Sequence, residues 1–149
     1  MRILIVDSDP RMRSGIRAAL EASGHYELCG EAADGQEAID KTLRLQPDVI
    51  LMALNLPGVD GLEATRRILS SFPPAEVIIL TGDASPQVAQ RVFGAGALGF
   101  VVQRPESAEL LAAVENASQR KSFMSRTAWI SSPDEADNPG RVPQPKRAG

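Results

Sequence analysis

Five short apolar runs alternate along the chain with longer segments in which apolar residues recur at helical spacing. The runs predict strands over residues 2–6, 26–31, 48–52, 77–80 and 100–102. A helix is predicted after each strand. Strands that alternate with helices favour a parallel sheet with right-handed crossovers and helices on both faces. The predicted fold class is therefore α/β.

Turn and capping residues predict where the helices begin and end. Asp9 before Pro10 is typical of a helix start, with Asp as the N-cap and Pro at the first helical position. Gly24 is predicted to end that helix. The second strand is less apolar than the others and is expected near the sheet edge. In the second helix, the face turned to the core is predicted to be Ala38, Ile39, Thr42 and Leu43.

The composition changes near residue 120. Residues 1–120 are predicted to form one domain and residues 121–149 a C-terminal tail. The tail begins with an amphipathic patch over Phe123–Ile130, which we interpret as packing on its own domain rather than as an arm that docks a partner. The remainder is rich in Ser, Pro and charged residues and is predicted to be disordered.

Composition and charge exclude several classes of protein. A net charge of −3 argues against a dedicated nucleic-acid surface. No apolar run is long enough to span a membrane, and the chain leads from Met1 directly into a strand rather than a signal peptide. Cys29 is the only cysteine, so neither an intrachain disulfide nor a cysteine zinc site is expected. The cytoplasm is the expected compartment.

The stretch from Pro47 to Arg67 combines a buried strand, a tight loop and a helix. Its loop, N-L-P-G-V-D-G-L-E, closely resembles the centre of the bacterial receiver domain of two-component response regulators. The matching positions are Asn55, Pro57, Asp60, Gly61 and Glu63. The resemblance covers residues 1 to about 120. It implies the flavodoxin-like receiver fold, a five-stranded parallel sheet in the order 2-1-3-4-5.

The resemblance also implies a phosphorylation site. In the family, two acids and an aspartate phosphoacceptor hold Mg²⁺, while a hydroxyl and a lysine bind the phosphoryl group. By position, Asp7 matches the first acid and Thr81 the hydroxyl. The other three positions differ from the family pattern: Ser8 replaces the second acid, Ala53 replaces the phosphoacceptor and Gln103 replaces the lysine. A methyl group cannot form an acyl phosphate, so the site is expected to be degenerate.

The metal site is expected to be vestigial. Asp7 and the backbone carbonyl of Asn55 would bind Mg²⁺ weakly at best, and no other cofactor is expected. Asp9 is interpreted as a helix cap rather than a substitute ligand. Phe100 matches the family's switch aromatic, although without a phosphoryl group we interpret it as a plain core residue.

The leading hypothesis is an atypical receiver in phosphorelay signalling that acts by protein–protein interaction, independently of phosphorylation. Its partner would be a signalling protein, a histidine kinase or a second copy, bound through the last two helices and the fifth strand. One alternative is a phospho-dead variant, or the receiver fragment, of a helix-turn-helix transcription factor. Another is a pseudo-receiver that senses a small molecule in the vacated crevice. No specific DNA binding by this chain and no membrane association are expected.

An enzyme is the least favoured hypothesis. The sequence shows no Ser/His or Cys/His arrangement and no dinucleotide or phosphate-binding glycine motif after the first strand. His25 is expected on the surface without a role.

Overall fold

A computed structural model describes residues 1–82, 85–102 and 108–124. It contains one sheet of six parallel strands in the order β2-β1-β3-β4-β5-β6. The strands are β1 (Arg2–Val6), β2 (Glu27–Ala32), β3 (Val49–Ala53), β4 (Glu76–Thr81), β5 (Gly99–Val102) and β6 (Phe123–Met124). The helices are α1 (Pro10–Ser23), α2 (Gly35–Leu45), α3 (Gly61–Ser71), α4 (Pro86–Gly94) and α5 (Ala108–Ser118).

The predicted α/β class and the order of the first five strands are confirmed, and β2 lies at a sheet edge as expected. The prediction of five strands missed β6. Its two residues pair with β5, Phe123 beside Gly99 and Met124 beside Phe100. A strand of two residues has no periodicity to detect, so its pairing depends on the surface that α5 and β5 offer it.

The sheet separates two apolar cores because successive side chains of a strand point to opposite faces. In β1, Leu4 and Val6 face the first core, which α2, α3 and α4 cover. Ile3 and Ile5 face the second core, which α1 and α5 cover. All four side chains are fully buried. Burial on both faces explains why the central strands read as continuous apolar runs.

The predicted limits of α1 are confirmed. The Asp9 side chain accepts a hydrogen bond from the Arg11 backbone N–H at 2.9 Å, and Pro10 is the first helical residue. At the other end Gly24 is left-handed, with φ of 73°, and its N–H donates to the Glu21 carbonyl. Glycine fits this position because it adopts positive φ without steric cost.

The predicted core face of α2 is wrong at one residue. Ala38, Ile39 and Thr42 are buried, but Leu43 is 49% exposed. Each helical residue turns about 100° from the one before it. The stripe that faces the sheet runs through Ala38, Thr42 and the half-buried Leu45, which leaves Leu43 on the outer side.

The predicted domain boundary at residue 120 stays a prediction, although β6 shows that the sheet includes two residues of the predicted tail. The rest of the amphipathic patch and the predicted disordered segment, residues 125–149, lie outside the described residues. In the part of the chain that the structure describes, no helix is long and apolar enough to cross a bilayer.

Candidate functional site

The candidate site lies at the carboxyl edge of the sheet, where β1, β3 and β4 end. Val6 pairs with Met52, so that Asp7 and Ala53 follow at the same level of two neighbouring strands. On β4, Leu80 pairs with Ala53, and Thr81 follows Leu80 as the last residue of the strand. Open parallel sheets place their binding crevice at this edge. The fold therefore brings Asp7, Ala53 and Thr81 together.

Asp7 is held by hydrogen bonds around the end of β1. Its backbone N–H donates to the Ala32 carbonyl at 3.0 Å, and its carboxylate Oδ1 accepts the Asp9 N–H at 2.9 Å. The side chain of Arg13 donates to the Asp7 carbonyl oxygen at 2.5 Å. Burial raises the pKa of the Asp7 carboxyl above its ordinary value, and the Asp9 N–H and the Arg13 charge oppose that rise.

Ala53 is the last residue of β3, and its side chain is a buried methyl group. The loop that follows folds back on the end of β3, because the Gly61 N–H donates a hydrogen bond of 2.9 Å to the carbonyl of Leu54, the residue after Ala53. Gly58 turns the loop with φ of 73°. Asp60 caps α3 by accepting the Glu63 N–H at 2.9 Å. The loop motif thus has a structural purpose of its own, apart from any chemistry at residue 53.

The other predicted site residues are distributed as follows. Thr81 is buried at the end of β4, whereas Ser8 and Asn55 are exposed. Phe100 is fully buried in the first core, beside Ile79 on one strand and Met124 on the other. Gln103 lies outside the described residues.

A group of charges beside the site was not predicted from the sequence. Glu31 on β2 pairs with the guanidinium groups of Arg13 and Arg17 from α1. The Lys41 ammonium of α2 donates to the Glu31 carbonyl and lies 3.3 Å from the Glu37 carboxylate. The two arginines are four residues apart and so share a helical face, which was the available signal. Their partner is remote in sequence, and only the fold places it there.

The side chains at this edge fit Mg²⁺ poorly. Magnesium prefers octahedral oxygen ligands with one or two carboxylates. Here the ends of the strands present one carboxylate, one hydroxyl and a methyl group, and Asp9 uses its carboxylate to cap α1. Among residues 1–82, 85–102 and 108–124, no three His, Cys, Asp or Glu side chains form a group that could hold a metal ion.

The comparisons with known proteins agree on one family. The family model of the response regulator receiver domain matches residues 3–115. The transcriptional regulatory protein LiaR of Bacillus subtilis is 37% identical over 119 residues, which are 80% of this chain and 56% of LiaR.

Solved structures of receiver domains have the same fold. A two-component response regulator of the LuxR family from Aurantimonas is 36% identical, with a TM-score of 0.78 over 91% of this chain and 92% of that chain. The isolated receiver domain of RcsB from Salmonella, with the phosphomimetic BeF₃⁻, is 26% identical. Its TM-score is 0.79 over 86% of this chain and 95% of that chain.

LiaR and a second relative are longer than this chain. The chain spans about half the length of two of the curated relatives it matches, 56% of LiaR and 53% of the response regulator GacA of Pseudomonas viridiflava.

Proposed function

The chain belongs to the response regulator receiver domain family, and on that premise we propose that it signals without accepting a phosphoryl group, by binding other proteins. The observation that carries this proposal is the methyl group of Ala53 at the carboxyl end of β3, level with Asp7. A phosphoryl acceptor needs a nucleophilic oxygen, and alanine has none.

The neighbouring positions support the same proposal. Phosphoryl transfer depends on positioning and on neutralising the charge of the phosphoryl oxygens. Ser8 offers a neutral hydroxyl where the family resemblance expects an acid, and Gln103 offers a neutral amide where it expects an ammonium group. Three changes at one site are more consistent with a receiver that no longer uses phosphate than with a receiver disabled by one substitution.

The partner is proposed to be another signalling protein, a histidine kinase or a second copy of the chain. The proposed surface consists of α4, α5 and the sheet edge between them. The outward side of α4 carries Gln87, Gln90 and Arg91, all exposed. The relatives named above are regulators, which fits a protein that acts by binding and not as an enzyme.

A second candidate function is that of the receiver part of a longer transcription regulator. The observation in its favour is the length of the relatives, since LiaR is a transcriptional regulatory protein of which this chain spans 56%. In that case Ala53 would remove phosphorylation as the input, and another signal would have to reach the output domain through α4, α5 and β6.

The first experiment compares Ala53→Asp with the unaltered chain in the presence of Mg²⁺ and a small phosphodonor. Intact-mass measurement reports the uptake of a phosphoryl group. We expect no uptake by the unaltered chain and none by Ala53→Asp, because Ser8 and Gln103 still deprive the site of an acid and a cation. The variant Ala53→Asn is the matched control for the added side-chain volume.

Uptake by Ala53→Asp alone would contradict the proposal that the whole site has lost its chemistry and would favour an ordinary receiver disabled at one residue. Uptake by the unaltered chain would overturn the proposal, provided that peptide mapping places the phosphoryl group at the carboxyl edge of the sheet.

A further inference from the structure

Arg13 on α1 joins the end of β1 to the edge strand β2. Its guanidinium donates to the Asp7 carbonyl oxygen at 2.5 Å and, through Nε, to the Glu31 carboxylate at 3.1 Å. A planar guanidinium suits this arrangement, because its N–H groups donate in fixed directions to two acceptors at once. The Arg13 side chain is only 19% exposed, so that a positive charge lies beside the end of β1, largely shielded from water.

Glu31 fixes the position of the Arg13 charge. One of its carboxylate oxygens accepts from Arg13, and the other accepts from Arg17, which lies about one helical turn further along α1. The backbone carbonyl of Glu31 accepts from the Lys41 ammonium of α2. An isolated surface ion pair contributes little, whereas a network of several charges can hold its members in place. The guanidinium of Arg13 is therefore anchored on both sides.

Asp7 is fixed by contacts within the chain at all three of its polar groups. Its N–H donates to the Ala32 carbonyl at 3.0 Å, and its carboxylate accepts the Asp9 N–H at 2.9 Å. Arg13 holds the remaining group, the carbonyl oxygen. The end of β1 and the orientation of the Asp7 carboxylate are thus set without a bound ion.

The same guanidinium opposes the binding of a cation at the Asp7 carboxylate. A metal ion there would lie close to Arg13, because the carboxylate belongs to the residue whose carbonyl Arg13 contacts. Like charges repel, and they do so more strongly where they are shielded from water. The nearby carboxylates are already engaged, since Asp9 caps α1 and Glu31 pairs with both arginines. The poor fit to Mg²⁺ therefore includes a positive charge of the chain itself, besides the missing ligands.

We infer that Arg13 is the internal counterpart of a metal ion at this edge: it holds the end of β1 in place and keeps divalent cations from the Asp7 carboxylate. The carboxyl end of β1 then has the same conformation at any Mg²⁺ concentration. The inference goes beyond the proposed function, because it concerns divalent cations and can fail or hold independently of phosphoryl uptake and of partner binding.

The test compares Arg13→Gln with Arg17→Gln in the full chain. Both substitutions remove one positive charge from α1 and one partner from Glu31. Within the described residues, the hydrogen bond to the Asp7 carbonyl comes from Arg13 and not from Arg17. Hydrogen exchange followed by NMR measures the Asp7 and Asp9 amides without and with Mg²⁺. Traces of Mn²⁺, which broadens the signals of nearby nuclei, report whether a cation lies at the Asp7 carboxylate.

We expect the Asp7 and Asp9 amides to exchange about tenfold faster in Arg13→Gln than in the unaltered chain, because a hydrogen bond from a charged donor is lost. Mg²⁺ should slow this exchange again, and Mn²⁺ should broaden the Asp7 signal of the variant. The unaltered chain and Arg17→Gln should show neither response to cations.

Two kinds of result would overturn the inference. Equal exchange in Arg13→Gln and Arg17→Gln would show that Arg13 does not hold the end of β1. Broadening of the Asp7 signal in the unaltered chain as strong as in Arg13→Gln would show that Arg13 does not keep cations away. Faster exchange in Arg13→Gln without any response to Mg²⁺ or Mn²⁺ would contradict the exclusion of cations in the same way.

A second variant, Arg13→Lys, separates the charge from the fixed geometry and decides the matter if Arg13→Gln does not fold. An ammonium group keeps the positive charge but lacks the planar set of donors. We expect faster exchange of the Asp7 and Asp9 amides in this variant and still no response to Mg²⁺ or Mn²⁺. Exchange as slow as in the unaltered chain, or broadening of the Asp7 signal by Mn²⁺, would overturn the inference. Circular dichroism reports whether each variant is folded.

Discussion

At the scale of single residues, the loop after β3 depends on a glycine that allows two backbone segments to touch. A Cβ atom at Gly61 would lie 2.3 Å from the Ala53 carbonyl oxygen and 2.9 Å from the Leu54 carbonyl oxygen. Both contacts are with backbone atoms, which cannot swing aside as a long side chain can. Gly61 therefore fixes the distance between the end of β3 and the start of α3.

We predict that Gly61→Ala lowers the free energy of unfolding by about 1–3 kcal/mol, the usual cost of overpacking a tight contact. Urea denaturation followed by circular dichroism measures it. The control is Gly15→Ala in the exposed middle of α1, where an added Cβ meets nothing within 4 Å. That change should raise the free energy of unfolding by about 0.5–1 kcal/mol, because alanine favours a helix interior over glycine. Equal effects of the two substitutions would contradict the assigned role of Gly61.

A second residue-scale prediction concerns Glu37, whose carboxylate accepts the Ala33 N–H at 2.6 Å and lies near Lys41. That backbone hydrogen bond, with the Lys41 charge, lowers the pKa of the Glu37 carboxyl below its ordinary value of 4.5. A lowered pKa in the folded state means that the carboxylate stabilises the fold above pH 4.5, and that this contribution is lost as pH falls through the folded-state pKa.

Glu37→Gln should therefore lower the Tm most at neutral pH, and its difference from the unaltered chain should shrink below pH 4.5. Thermal unfolding from neutral to acidic pH measures this difference. Because Glu37 is partly exposed, solvent screens the effect and it should be small. The exposed Glu21 on α1 provides the control variant Glu21→Gln. A Tm difference between Glu37→Gln and the unaltered chain that grows towards acidic pH would contradict the lowered pKa of the Glu37 carboxyl.

At the scale of elements, the loop motif also works as a helix start. Asp60 is the N-cap of α3, and its carboxylate accepts the Glu63 N–H at 2.9 Å. A helix begins with backbone N–H groups that have no partner within the helix, and a capping carboxylate satisfies one of them. The motif therefore positions α3 relative to β3 even where residue 53 has no acid.

Asp60→Ala should lower the free energy of unfolding by about 0.5–2 kcal/mol, the range measured for lost N-caps. Chemical denaturation measures this change. The control is Asp40→Ala on the exposed side of α2, where the carboxylate accepts a hydrogen bond from the Gln36 side chain. That change should stay within about 0.5 kcal/mol, as is usual for the surface. A cost for Asp60→Ala no larger than that of the control would show that the cap contributes nothing.

At the scale of the whole molecule, the two cores share every long strand of the sheet. Leu4 and Ile5 are neighbours on β1, both fully buried, and they face the first and the second core respectively. One core cannot lose its packing without disturbing the strands that build the other. The described part of the chain should therefore unfold as one cooperative unit.

Leu4→Ala and Ile5→Ala test this cooperativity from opposite faces of the sheet. Each should lower the free energy of unfolding by about 2–5 kcal/mol while the calorimetric transition stays single. Leu43→Ala, at the exposed leucine of α2, is the control and should leave the Tm almost unchanged. Two separate transitions, or a large loss for Leu43→Ala, would contradict the shared-core description.

The sequence by itself determined most of the architecture. Apolar runs predicted the first five strands, because burial on both faces leaves no place for polar residues. The ends of α1 were also predicted, because the N-cap and glycine signals act within a few residues of the chain. The resemblance to the receiver family supplied Asp7, Ala53 and Thr81 as site positions, and the structure places them at one sheet edge, where the carboxyl ends of parallel strands meet.

Tertiary structure alone decided the rest. The pairing of Phe123 and Met124 with β5, the exposure of Leu43 and the contacts of Glu31 with Arg13 and Arg17 join residues that are remote in sequence, or depend on which side of an element meets the sheet. Local spacing carries no information about such contacts, because a side chain's partner is set by how whole elements pack. The alanine at position 53 is thus evident from the sequence, whereas the pairing of β6 with β5 is evident only from the fold.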